Sequence, residues 1–189
     1  MKNISIEVVE DGNIEQCREL CGELMDFQKS KAVLAPETFD NMNFDNRMKK
    51  RYENALAAQV ILVKDAGTLV GYSFSVLEKA GGVKVPIPDW APVSGTQKVL
   101  GLYPEWDEPQ KIGSLANLYF RPEYRGMGLG TKLLDAAMKW FTGLPDVNLV
   151  FIHISNGNDE ALDFYLKHGF TFSHDVFGGF LKAVCKSIT

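Results

Sequence analysis

Three glycines at alternate positions, Gly126, Gly128 and Gly130, follow Arg125 and precede Thr131 in a stretch that passes from apolar strand residues to a helix start. Glycines leave the backbone unshielded by Cβ atoms, and the first amides of a helix have no intrahelical acceptor. Such a turn presents converging N–H groups to an anion, and a phosphate is the expected guest. The spacing decides among phosphate ligands. A dinucleotide fingerprint needs G-x-G-x-x-G with an acidic residue about 20 positions on, but the third glycine here comes one residue early and the region near Val150 is apolar. A nucleoside triphosphate loop needs G-x-x-x-x-G-K-S/T, and Lys132 stands after Thr131 rather than before it.

What remains is Arg125-x-x-Gly128-x-Gly130, entered through Leu118-Tyr119-Phe120-Arg121-Pro122-Glu123-Tyr124-Arg125-Gly126. A second block runs Asn158-Asp159-Glu160-Ala161-Leu162-Asp163-Phe164-Tyr165 and then Lys167-His168-Gly169-Phe170. The two blocks, in this order, resemble the Q/R-x-x-G-x-G/A turn and the N-x-x-A-x-x-F-Y-x-x-x-G-F segment of the GNAT superfamily of acyl-CoA-dependent N-acetyltransferases. The resemblance covers about residues 112–180. Each residue taken singly has a structural alternative: Asn158 can cap a helix, Phe164 and Tyr165 can be core aromatics, and Gly169 can close a helix.

The resemblance implies a fold and a chemistry. The fold is α/β (α+β), a mixed and mostly antiparallel central sheet with strands 4 and 5 splayed, flanked by about four helices. The chemistry is transfer of the acetyl group of acetyl-CoA, a co-substrate, to a primary amine by direct attack, with no metal. Main-chain amides of Gly126, Met127, Gly128, Leu129, Gly130 and Thr131 would wrap the diphosphate, with Arg125 adding charge. Leu118, Tyr119 and Phe120 would pair with the pantetheine arm, and Asn158 and Phe164 complete the cofactor set. A bulge near Asn117–Leu118 would turn an N–H toward the thioester carbonyl. Tyr165 stands where the family carries the tyrosine that protonates the leaving thiolate, and a phenol is a suitable acid because it stays protonated at neutral pH.

The chain departs from the pattern at the base. Ala116-Asn117 occupies the place where many relatives carry an acidic residue, and an amide cannot accept the ammonium proton. His153 is conceivable as a substitute, although a lone strand histidine is more often packing, and His168 and His174 look exposed near turns. No base is assigned. A non-catalytic acyl-CoA-binding module and an enzyme that acetylates peptide amines therefore stand beside a small-molecule transferase.

The supporting elements follow from periodicity. Alternation marks strands at 3–9, 60–63, 69–76, 112–120 and 147–154, with a pair near 170–186. Helical spacing marks 12–29, 44–58, 129–142 and 158–168, and Asp65-Ala66-Gly67 reads as a hairpin. The order β-α-α-β-β-β-α-β-α-β-β forms one domain over 1–189, interrupted by an insertion at 80–111. There Trp90, Tyr103 and Trp106 with Asp89, Glu105, Asp107 and Glu108 could wall an amine site. Lys98 to Leu102 could instead add a strand, or the segment could join two copies as a homodimer.

Composition narrows the partners. The 189 residues are 46% hydrophobic and carry a net charge of −4, enough for a full core and unsuited to nucleic-acid backbones. The longest apolar run, Leu149-Val150-Phe151-Ile152, is far short of a bilayer span, and residues 1–7 lack a signal-peptide core. A cytoplasmic protein without a membrane partner is expected. Cys17 and Cys21 lie one helical turn apart with no third ligand, which favours reduced core thiols over a metal site.

Overall fold

The computed structural model describes residues 2–82, 91–92 and 100–188. Strand β1 (Ile4–Val8) leads through a 3-10 turn to helix α1 (Arg18–Lys31). A π-turn at Asp45–Lys49 runs into the short helix α2 (Lys50–Asn54), followed by β2 (Ala57–Asp65), β3 (Thr68–Ala80) and β4 (Gln110–Phe120). Helix α3 (Leu129–Thr142), β5 (Val147–Ser155), α4 (Asp159–Lys167), β6 (Thr171–Val176) and β7 (Leu181–Ser187) complete the chain. The seven strands form one sheet in the order β1-β2-β3-β4-β5-β7-β6, antiparallel except for β4 against β5.

Local sequence explains much of this. Ala66 and Gly67 both take positive φ, +48° and +87°, between paired Asp65 and Thr68, the two-residue turn whose twist suits a hairpin. Asn158 caps α4 by accepting from the Ala161 amide at 3.4 Å, and Gly169 follows that helix at φ +83°. Two apolar layers sandwich the sheet. Leu20, Cys21, Leu24 and Met48 pack with Leu62, Tyr72, Phe74 and Val76 on one face; Leu134, Ala137 and Phe141 pack with Leu115, Val150 and Ile152 on the other. Burying each large side chain contributes about 1.5–3 kcal/mol.

Several expectations shift. The 44–58 helix is short: Ala55 is already extended, the Leu56 amide donates to the Leu77 carbonyl, Ala57 belongs to β2, and the Leu56 side chain is exposed. Ile6 and Val8 alternate as foreseen yet stay about half exposed, since β1 is an edge strand. Leu100–Leu102 form no strand, while Lys98, Val99, Asp89 and Trp90 lie outside the described residues. Tyr103 and Trp106 pack edge-on to Phe151, at centroid distances of 5.3 and 6.1 Å.

A buried ion pair fastens that segment. Arg51 grips Glu78 in a bidentate pair at 2.6 and 2.7 Å, and the same guanidinium donates to Tyr103 Oη and Ser114 Oγ at 3.1 and 3.0 Å. Tyr103 in turn donates to Glu78 at 2.5 Å. Burial alone would raise the Glu78 pKa, but the Arg51 charge and these hydrogen bonds outweigh it and hold the carboxyl at about 2. A depressed folded-state pKa means the stabilisation is complete above the ordinary carboxylate value and is lost as pH falls through the folded one. Glu78→Gln is accordingly expected to cost about 2–3 kcal/mol at pH 7 and to flatten the loss of stability between about pH 5 and 2, as read by urea unfolding across that range.

Candidate active site

The parallel pairing of β4 with β5 runs from Lys111 opposite Val147 to Ser114 opposite Phe151 and then stops. Beyond it the strands diverge into a fork. Its walls are Leu115 to Phe120 on one arm and Ile152 to Ser155 on the other, and it holds a cleft of about 480 Å³. The arm from β4 is still paired with β3 on its far side, at Ser73 with Leu118 and Tyr72 with Tyr119. Among the described residues its inner edge meets no strand, so an extended amide-bearing arm can add to it.

A bulge shapes that arm. Phe74 pairs with Asn117 but Ser75 pairs with Leu115, which leaves Ala116 as the extra residue, one position before the expected site. Ser114, Ala116 and Asn117 therefore address the α1 face, where Arg51, the α1 core and Tyr72 meet them.

The glycine turn closes the mouth of the fork. Gly126 and Gly128 hold φ of +71° and +74°, and a Cβ at either would meet nothing within 4 Å, so the turn is open rather than packed. The Lys132 amide reaches the Gly128 carbonyl at 3.2 Å, while the amides of Gly126 to Thr131 take no backbone acceptor among the described residues. Those donors and the α3 dipole favour negative charge. Gly126, Gly128, Leu129, Gly130 and Thr131 all line the cleft. Met127 does not; its side chain is 44% exposed.

Arg125 is a structural tie as well as a charge. Its Nε donates to the Phe120 carbonyl at 3.0 Å, and its guanidinium lies 4.3 Å from the Phe27 ring centroid and 5.5 Å from that of Tyr119. Arg121 adds a second tie to α1, donating to Glu23 at 2.8 Å and Glu19 at 2.5 Å. The α1 residues Leu24, Phe27 and Gln28 thus form a cleft wall.

From α4 come Asn158, Phe164 and Tyr165. Tyr165 is held edge-on between Phe164 and Phe170, at 5.1 and 5.9 Å, and burial pushes its phenol pKa further up. The hydroxyl has no protein partner among the described residues, so it is a protonated donor awaiting an acceptor. His168 is half-buried rather than exposed. Its Nδ1 lies 2.7 Å from the Phe164 carbonyl and must donate, which leaves Nε2 to accept from Thr131 Oγ1 at 3.3 Å. His174 is buried too, with Nε2 3.1 Å from the Gly101 carbonyl.

His153 lines the cleft but cannot be a base at neutral pH. Burial and the Arg51 charge lower its pKa to about 3, against the opposing effect of the Leu102 carbonyl 2.6 Å from Nε2. The ring is neutral with Nε2 donating. All the residues expected from the sequence except the Met127 side chain converge on one cleft. Helical periodicity marked Phe27 only as core, and no sequence signal marked Ser155, a cleft residue whose buried Oγ has no partner among the described residues. Among the described residues no group of three or more His, Cys, Asp or Glu could hold a metal, and no helix is long and apolar enough to cross a membrane.

Comparison with known proteins matches residues 24–170 to the model of the Acetyltransferase (GNAT) family. The spermine/spermidine N(1)-acetyltransferase of Bacillus subtilis strain 168 is 32% identical over 78 residues, 40% of this chain and 51% of that protein. The chain therefore spans about half the length of the curated relatives it matches. PaiA N-acetyltransferase from Thermoplasma acidophilum in complex with coenzyme A superposes with a TM-score of 0.63 at 17% identity, over 98% of this chain and 99% of that one. Arabidopsis thaliana Naa50 in complex with the bisubstrate analogue CoA-Ac-MVNAL gives 0.58 at 18% identity, with 98% and 99% covered. At these identities the structural likeness is one of fold.

Proposed function

Because the chain belongs to the GNAT family of acetyltransferases, we propose that it moves the acetyl group of acetyl-CoA to the primary amine of a small molecule, by direct attack in a ternary complex. The observation that carries this reading is the fork between β4 and β5, with an open glycine turn at one end and Tyr165 in its lining. Amides of 126–131 hold the diphosphate, each charge-assisted hydrogen bond contributing roughly 1.5–3 kcal/mol. The inner edge of Leu118 to Phe120 receives the pantetheine amides, and Asn158 and Phe164 border the same path.

The reaction then asks little of the protein beyond alignment. The neutral amine nitrogen bonds to the thioester carbon, the carbon–sulfur bond breaks, Tyr165 gives its proton to the departing thiolate, and the proton that the acylated nitrogen sheds passes to solvent, from which Tyr165 recovers one. Positioning supplies much of the acceleration because aminolysis of a thioester needs no covalent enzyme intermediate. The partial similarity to a polyamine acetyltransferase supports a small acceptor. Release of free thiol from acetyl-CoA, measured with polyamines, amino sugars and amino acids against peptides and against no acceptor, tests the reading. Turnover with small amines is expected. Turnover confined to peptides would replace the acceptor class, and binding of acetyl-CoA with no turnover on any amine would replace the enzyme with a binding module.

A further inference from the structure

Resting on that reading, we propose that Asn117 is the residue that receives the acceptor: its Oδ1 accepts from the attacking amine, which must arrive uncharged. The bulge at Ala116 sets the Asn117 side chain on the α1 face at the point where β4 leaves β5, and Asn117 lines the cleft while only 6% exposed. Its Nδ2 donates to Tyr72 Oη at 3.0 Å. Tyr72 is fully buried in β3, and its hydroxyl hydrogen-bonds the Cys21 thiol on α1. Because Nδ2 is the donor in the bond to Tyr72, the Asn117 amide turns its NH2 group inward. Oδ1 is then the end directed away from Tyr72, and it has no partner among the described residues.

The surroundings say which protonation state it can receive. Facing Asn117 and Tyr72 are Cys17 from the 3-10 turn before α1, Cys21 from α1, Arg47 from the π-turn, Tyr119 from β4, neutral His153 from β5 and Tyr165 from α4. None is a carboxylate. Glu23 on α1 is engaged by Arg121 and by the Tyr119 hydroxyl at 3.3 Å, and the carboxylate that the described cleft lining includes is Glu160, exposed in the first turn of α4. An amide oxygen accepts an N–H from a neutral amine but cannot take a proton away. The ammonium proton therefore goes to solvent before attack, and Asn117 aims the lone pair. Asn117 acts on the substrate directly; Tyr72 is a positioning residue, acting through it.

The test uses two small primary amines whose conjugate acids differ in pKa by about two units, with kcat/KM followed from about pH 6 to pH 10. For the wild type the acid limb is expected to rise with unit slope and to move with the amine. Asn117→Ala and Tyr72→Phe should each lower kcat/KM for the amine about ten- to a hundredfold, with the acetyl-CoA dissociation constant from calorimetry held within about twofold. A limb fixed at one pH for both amines would reveal a base on the enzyme and overturn the proposal. So would an Asn117→Ala enzyme that turns over like the wild type. A wild type that releases no thiol with any amine sinks the transferase reading and this one together, whereas an active wild type matched by Asn117→Ala sinks this one alone.

Discussion

Gly128→Asp should raise the dissociation constant for acetyl-CoA about a thousandfold while the protein stays folded. Gly128 holds φ +74° in open space, a backbone state that Asp and Asn enter more readily than other side chains. The new carboxylate would stand where the amides of residues 126–131 converge. Against a doubly charged diphosphate about 6 Å away, at an effective dielectric near 20, the repulsion is roughly 5–6 kcal/mol before salt screening, which lowers it toward the value of a thousandfold change. Gly128→Asn provides the control, having the same shape without the charge, and should stay within about tenfold of the wild type. Calorimetric titration with acetyl-CoA reads both, and thermal melting checks the fold. Equal affinities for the Asp and Asn variants would mean that the turn does not hold the phosphates.

Tyr165→Phe should lower kcat about a hundredfold or more and leave the acetyl-CoA dissociation constant nearly unchanged. The magnitude is that of one general acid. The ring is packed by Phe164 and Phe170, so the Phe variant keeps the packing and loses only a hydroxyl that has no protein partner among the described residues. Stability should move by less than about 1 kcal/mol for that reason. Because burial raises the phenol pKa, Tyr165 stays protonated through the working range and should contribute no limb to the pH profile below about pH 10. A kcat within threefold of the wild type would remove Tyr165 from proton transfer and leave departure of the thiolate to solvent.

These two expectations differ from the Asn117 proposal in the step they probe. Gly128 concerns the grip on the coenzyme, Tyr165 the leaving group, and Asn117 the incoming amine. The three can be separated by whether a variant moves the acetyl-CoA dissociation constant, kcat, or kcat/KM for the amine. The Glu78–Arg51 pair is separate again, since it fastens Tyr103 and β4 behind the cleft and should show itself in stability before catalysis.

The amino-acid sequence by itself determined the features that act over short range. The α3 limits, 129–142, agree with the structure because a glycine turn starts the helix and an uninterrupted apolar stripe carries it. The α4 cap at Asn158 and the hairpin at Ala66-Gly67 are likewise local, set by the φ preferences and side-chain hydrogen bonds of a few adjacent residues. Tertiary structure alone decided the rest. It set the bulge at Ala116 rather than at Asn117–Leu118, since a bulge depends on the register of a partner strand more than 40 residues away. It turned Phe27 from a core residue into a cleft wall beneath Arg125, and it buried His153 and His174 against carbonyls of the 100–102 segment. Periodicity tells which face of an element is apolar, but not which neighbour covers it, and both a histidine's protonation and an amide's orientation depend on that neighbour.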